Sequence, residues 1–432
     1  MNMAKKSVSM PVLAAIAIVV FGASYALGRT NFNPFSRISF AAAAGDSTAI
    51  ADALHKRCEK TVGDAKTICY SKPLDSLASL GEVRTAMGAL SRLAELDVDI
   101  KRDGHVFAHG IGIAGGKSGG DIAATFAMCD PSNQSGCYHG VIQSYFASAK
   151  TVGPAEVNKL CEPFRGPDAD RWIRFQCVHG MGHGLEMLYN HNLPKSLEGC
   201  DYLTDSWDRN SCYGGVFMEN IVNVTMPKHP AHDMESHASM PGMDHHEEAP
   251  FKAIDPKDPL YPCSIVGQQY QVACYQMQTS VILYLNQGNI GAAAKTCDTA
   301  PGAMLYVCYQ SLGRDISAYA LQDYGKSKAM CQLGTTRYQP WCFFGLVKNF
   351  VDLNARPTDG FDFCKTLDGD DNKMKCYEAV GEQIGALQND MEGRRKLCLP
   401  SEAAYVGACL FGARVGAAPE RLAKLNMSAS GI

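Results

Sequence analysis

The chain has 432 residues, 46% of them hydrophobic, and a formal net charge of −4. That length is too great for one ordinary core and suits two or three domains or one elongated array. The slight acidic excess excludes the basic footprint of a nucleic-acid binder, so no nucleic-acid partner is expected.

Lys5 and Lys6 precede an apolar run from Val8 to about Leu27. This is the charged and then hydrophobic order of an export signal. The run is also long enough to span a bilayer, while Ser24-Tyr25-Ala26 offers a cleavage site. A cleaved signal peptide and an uncleaved membrane anchor over residues 1–30 therefore both stand. In either case the lysines stay cytoplasmic and the body is delivered to the periplasmic or secreted side. Residues 31–47 read as a linker, and Glu82 to Leu96 as an amphipathic helix leading into His105.

The 18 cysteines then fall into nine local couples. In chain order these are Cys58 with Cys69, Cys129 with Cys137, Cys161 with Cys177, Cys200 with Cys212, Cys263 with Cys274, Cys297 with Cys308, Cys331 with Cys342, Cys364 with Cys376, and Cys398 with Cys409. In the last five the first cysteine recurs every 33 or 34 residues, a period of stacked two-helix units. One couple per unit reads as a disulfide, which persists only in an oxidising compartment. No CxxC, CxxCH or zinc-ribbon spacing occurs, which disfavours thioredoxin, c-haem and zinc-finger chemistry. The body divides into His-bearing repeats (48–225), a Met/His-rich insertion (226–262) and C-terminal repeats (263–432).

Within a repeat the pattern is helical. Tyr309, Leu312, Ile316, Tyr319 and Ala320 share one face after Cys308, and Asp323-Tyr324-Gly325 reads as the break. An aromatic residue follows the second cysteine at Tyr70, Tyr138, Tyr213, Tyr275, Tyr309, Phe343 and Tyr377. Three residues after that cysteine the side chain is usually small, as at Gly140, Gly180, Gly215, Gly345 and Gly412. A glycine inside a helix costs propensity, so a close helix crossing is expected there, with the aromatic ring filling the groove between units. The expectation is an all-α fold: an α-solenoid of about nine two-helix repeats, each stapled by its own disulfide. The plan resembles the disulfide-stapled Sel1-like and TPR-like helical repeat proteins over roughly Cys129 to Gly412, by period and cysteine placement. The spacing inside each couple is longer here than in Sel1-like repeats. The resemblance implies a curved solenoid, often a docking surface for proteins or peptides.

The chemistry-bearing residues concentrate in the first half. His105 and His109 are four apart, as are His179 and His183, and such pairs share a helix face. Glycine follows His109, His139 and His179, which points to three homologous helices stacked side by side. Glu186 lies three beyond His183, and Glu219 follows Met218, which holds the offset of His183. Five imidazoles and one or two carboxylates suit a transition metal. Copper is the favoured ion, with zinc, iron or a haem as alternatives. The carboxylates would ligate, orient an imidazole or act as a base. Without HExxH, a zinc-protease reading lacks its usual base. Gly110 to Ser118 looks like a phosphate-binding loop but carries Ile111 where the motif needs glycine.

The insertion from Met226 to Glu248 contributes Met226, His229, His232, Met234, His237, Met240, Met243, His245 and His246. Thioether sulfur selects Cu(I) and imidazole suits Cu(II), so the segment reads as a metal-recruiting tract like the loops of exported copper-handling proteins. The functional expectation is an exported metal-binding repeat protein, with metal-dependent oxidoreductase activity open. The alternative is a non-enzymatic envelope docking solenoid that binds a partner protein on its C-terminal repeats.

Overall fold

A computed structural model of the protein describes residues 45–117, 121–149, 152–166, 170–225 and 251–430. Residues 1–30 and the Met226 to Glu248 tract lie outside them. Among the described residues there are 21 α-helices and no strand. The first half comprises α1 (Ser47–Cys58), α2 (Gly63–Ser79), α3 (Val83–Leu96), α4 (Val98–Lys117), α5 (Ile122–Phe126), α6 (Gly136–Ser148), α7 (Pro154–Leu160), α8 (Arg171–Leu188), α9 (Leu193–Asp201) and α10 (Ser206–Thr225). The second half comprises α11 (Gln268–Tyr275), α12 (Thr279–Leu285), α13 (Ile290–Cys297), α14 (Met304–Tyr319), α15 (Tyr324–Cys331), α16 (Gln339–Asp352), α17 (Pro357–Lys365), α18 (Asp370–Leu387), α19 (Met391–Cys398), α20 (Val406–Gly412) and α21 (Glu420–Ser430).

The cysteine ladder gives nine local disulfides in the pairing expected, and no cysteine is free. In the first half Cys58 is bonded to Cys69, Cys129 to Cys137, Cys161 to Cys177, and Cys200 to Cys212. In the second half Cys263 is bonded to Cys274, Cys297 to Cys308, Cys331 to Cys342, Cys364 to Cys376, and Cys398 to Cys409. In the regular units each bond ties the end of a short outer helix to the start of a long inner one, as Cys331 of α15 is tied to Cys342 of α16. Nine such bonds point to an oxidising, extracytoplasmic setting. No helix of the described residues is long and apolar enough to cross a membrane.

The break between helices is a recurrent cap that falls slightly before the position read from sequence. Leu321 and Gln322 take left-handed backbone, and Gln322 N–H donates to Ser317 O at 3.0 Å. The same six-to-one bond closes α8 (His191 to Glu186), α12 (Gly288 to Leu283), α16 (Arg356 to Val351) and α20 (Val415 to Leu410). Asp323 is no breaker. Its side chain caps α15 by accepting from Lys326 N–H, as Asn192 and Asn289 cap α9 and α13.

Inner helices α4, α6, α8 and α10 pack in succession, as do α14, α16, α18 and α20, with α11 and α12 between the two runs. The small residues after the second cysteines set the spacing. A Cβ on Gly140 would stand 2.1 Å from His109 O, and one on Gly182 would stand 2.1 Å from Cys212 O. Only hydrogen at those positions lets the backbones meet. The aromatic residues beside them are buried, and their hydroxyls are satisfied: Tyr309 Oη donates to Asp298 at 2.8 Å and Tyr377 Oη to Glu402 at 2.9 Å.

The solenoid curls until its runs meet. α8 touches α18, and the short 3₁₀ turn Asn133–Ser135 touches α16. The inner faces of both runs therefore enclose a shared cavity of about 660 Å³, and the C-terminal concave face looks into it.

Candidate metal centre

The close crossings of α4, α6 and α8 bring the histidines together. Ring centroids lie 4.6 Å apart for His105 and His109, 5.2 Å for His109 and His139, 4.8 Å for His139 and His179, and 5.1 Å for His179 and His183. His109 and His183 are themselves 4.8 Å apart, so the rings form one knot. Glu219 of α10 borders it, with Oε2 2.7 Å from His183 Nδ1. Three overlapping groups have donor atoms within 4.8 Å of one another and can hold a metal ion. The first is His105, His109 and His139, the second is His139, His179 and His183, and the third is His109, His183 and Glu219. His105 is half-buried and the others are buried.

The hydrogen bonds around the knot fix where each imidazole spends its proton. A neutral imidazole has one N–H and one lone pair. Backbone carbonyls only accept, so His105 Nδ1–H donates to Asn133 O at 2.9 Å and His179 Nδ1–H to Ser211 O at 3.2 Å. Gln143 Nε2 donates to Glu219 Oε2 at 3.1 Å, which turns its Oε1 toward His109 Nδ1–H at 2.8 Å. His139 Nε2–H donates to Gln176 Oε1 at 2.8 Å. His183 Nδ1–H donates to the Glu219 carboxylate.

All five N–H groups thus point out of the knot, and five lone pairs point in. They belong to Nε2 of His105, His109, His179 and His183, and to Nδ1 of His139. His105 Nε2 and His109 Nε2 stand 3.1 Å apart, and His109 Nε2 and His139 Nδ1 stand 3.3 Å apart. His183 Nε2 is buried with no hydrogen-bond partner among the described residues. Convergent lone pairs need a cation, and a proton suits poorly. Burial holds His105 down to about 4, against the pull of the Asn133 carbonyl. Burial and neighbouring imidazoles hold His109, His139 and His179 well below their usual value. A neutral cluster of this kind is suited to a metal ion, with the outward acceptors fixing each tautomer.

His105, His139 and His179 also line the cavity, as does Met218. A metal held by three imidazoles would keep a position for water or substrate, and these three cavity-lining histidines would make it reachable from the cavity. Glu186 is not in the three groups. It is buried beyond His183, accepts a hydrogen bond from Ser196 Oγ, and has its other oxygen unpartnered among the described residues. Burial pushes it up to about 7.

Sequence reading found the imidazoles and, in Glu219, the acceptor of His183, but missed the acceptors of the other four. Gln143 follows His139 by four residues, so it shares its helix face, and Gln176 precedes His179 by three. That spacing was the available signal. The Asn133 and Ser211 carbonyls carry no side-chain signature. The Gly110 to Lys117 stretch lies within α4 and forms no phosphate loop. Comparison with protein-family models, curated proteins and solved structures finds no match.

Proposed function

We propose that the protein is an exported copper-binding protein whose five-histidine knot holds the metal, with an open coordination position facing the cavity for redox chemistry on a small molecule. The carrying observation is the outward direction of all five imidazole N–H groups. Copper is favoured because the donors are neutral imidazoles without thiolate and because the Met226 to Glu248 tract supplies the Met/His donors that capture it. His105, His109, His139, His179, His183 and Glu219 are the proposed metal-site residues, and Glu186 is a proton acceptor beside them.

The test is metal content of the full chain after export and purification without a histidine tag, with copper, zinc and iron supplied together. The comparison set is the parent, a deletion of Met226 to Glu248, and His179→Ala with His183→Ala. Copper that survives the deletion and is lost in the double variant supports the proposal. Zinc or iron in the same pattern would move the assignment to that metal, and a Soret band would move it to haem. Metal lost with the deletion alone, or none in any form, overturns the folded site.

A further inference from the structure

The cavity beside the knot has a polarity of its own. Its wall on α8 and α10 is aromatic and continuous. Trp172 stacks on Phe175 at 5.9 Å, Phe175 stacks on His179 at 5.4 Å, and Trp207 meets Phe175 at 6.0 Å. At the far end of this wall the Arg171 guanidinium lies over the Trp207 ring at 4.6 Å. Arg171 and His179 are eight residues apart on one helix, so the wall runs about 12 Å from cation to imidazole.

The charges around the cavity are mostly paired. Arg314 holds Asp315, Lys348 holds Glu382, and Arg174 holds Asp208. Asp352 accepts from Gln383, and Arg394 is committed to the Gln388 and Ala413 carbonyls. Two cations lining the cavity differ. Neither the Arg171 nor the Arg414 guanidinium makes a hydrogen bond or ion pair among the described residues. Arg171 is pushed down by burial first and then by Arg414, Arg394 and Arg174, with Asp205 opposing. Arg171 is half-buried and Arg414 is exposed. Like-charged guanidiniums facing one cavity are stabilised by an anion, and a guanidinium fork matches an oxyanion in two-point geometry. A cavity of about 660 Å³, with an apolar wall and a few placed polar groups, is of the size and make-up that takes a small organic ligand.

We infer that the cavity binds a small aromatic oxyanion, its charged end on Arg171 and Arg414 and its ring along Trp207 and Phe175, with the opposite end directed at the histidine knot. This rests on the metal-site reading for its chemistry but not for its binding. The charged end is read at the arginines, about 12 Å along α8 from His179.

The test has two arms. Calorimetry on the metal-free full chain uses cinnamate and phenyl phosphate as probes, with cinnamyl alcohol as the neutral counterpart of cinnamate. At least one anion should bind, and cinnamyl alcohol should bind at least tenfold more weakly than cinnamate. Arg171→Gln with Arg414→Gln should weaken the anion at least tenfold, while Arg171→Lys with Arg414→Lys should retain part of the affinity. Near-ultraviolet circular dichroism checks that each variant keeps the parent fold. In the second arm, the anion should shift the d–d absorption of cobalt(II)-loaded protein. Equal binding of alcohol and cinnamate, unchanged affinity in the folded glutamine variant, or binding of neither anion overturns the inference. Failure to take up cobalt would sink the metal reading instead and leave the calorimetric arm readable.

Discussion

His183 Nδ1 lies 2.7 Å from Glu219 Oε2 across the α8–α10 crossing, while His183 Nε2 is buried without a partner on the other side of the ring. The carboxylate therefore does for His183 what the amides and carbonyls do for the other four imidazoles. It accepts a hydrogen bond from the outward N–H and leaves the lone pair facing in. It also accepts from Gln143 Nε2, so one carboxylate orients His183 directly and His109 through the amide. Removing a partner of this kind from a metal-bound histidine typically costs 10–100-fold in affinity.

Glu219→Gln keeps the volume but replaces the acceptor-only group with an amide that must choose which end faces His183. Metal affinity, read by competition with a chelator of known strength, should fall roughly 10–100-fold with the fold intact. An unchanged affinity would mean that Glu219 is merely a buried packing partner.

Gln143→Leu and Gln176→Leu remove the acceptors of His109 and His139 and leave an N–H buried and unsatisfied. Each such group costs about 1–3 kcal/mol, and the freed imidazole can turn its N–H inward, where a lone pair is needed. Each variant should lose metal affinity by about tenfold or more. His55→Ala is the control, since His55 bonds Tyr70 in the first repeat, and it should leave metal content unchanged.

How much of this was legible in sequence follows from range. The cysteine couples and the histidine–glycine steps are local patterns, and the nine disulfides and the stacking of His109, His139 and His179 follow from them. The cavity does not. Its closure needs α8 to reach α18 and Asn133–Ser135 to reach α16, and this depends on small rotations accumulated over many repeats. Arg171 and Arg414 therefore look like ordinary surface cations in the chain. The C-terminal inner face looks like a free docking surface until the curl turns it into the cavity wall.

The imidazoles also set a pH dependence. His105 falls to about 4 in the fold from an ordinary 6.5, and His109, His139 and His179 fall well below it. A depressed folded value means that the unfolded chain binds more protons, so stability rises with pH across that interval. Their contribution is complete above about 6.5 and is lost as pH falls through the folded values. Glu186 opposes them. Raised from 4.5 to about 7, it contributes fully below about 4.5 and loses that contribution as pH rises through about 7. Asp352, pushed by burial from 3.8 up to about 7, opposes them in the same sense. Four imidazoles outweigh two carboxyls, so metal-free protein should unfold at lower denaturant at pH 5 than at pH 7. His105→Ala with His139→Ala should flatten that slope, and bound metal should be released over the same acidic interval. Equal midpoints at both pH values in the parent would contradict the burial argument.

The glycine crossings make a prediction that separates backbone contact from helix propensity. In an exposed helix interior, glycine to alanine gains about 1 kcal/mol. Gly291, half-buried in the first turn of α13, has room for part of that gain: a Cβ there would meet only Asn289 Oδ1, at 3.6 Å. At Gly345 of α16 the same Cβ would stand 1.8 Å from Gln310 O, so α14 and α16 must separate. Gly291→Ala should raise the thermal midpoint slightly. Gly345→Ala should lower it by several degrees, since forcing apart a packed contact costs about 1–3 kcal/mol or more and overrides the propensity gain. The disulfide beside it, Cys331 to Cys342, spans 11 residues. Replacing both cysteines with serine should cost about 3 kcal/mol by loop entropy. Because the crossing is fixed by backbone contact and the staple acts on the unfolded chain, the two losses should add when combined. A combined loss much smaller than the sum would show that the disulfide, and not the glycine, sets the spacing between inner helices.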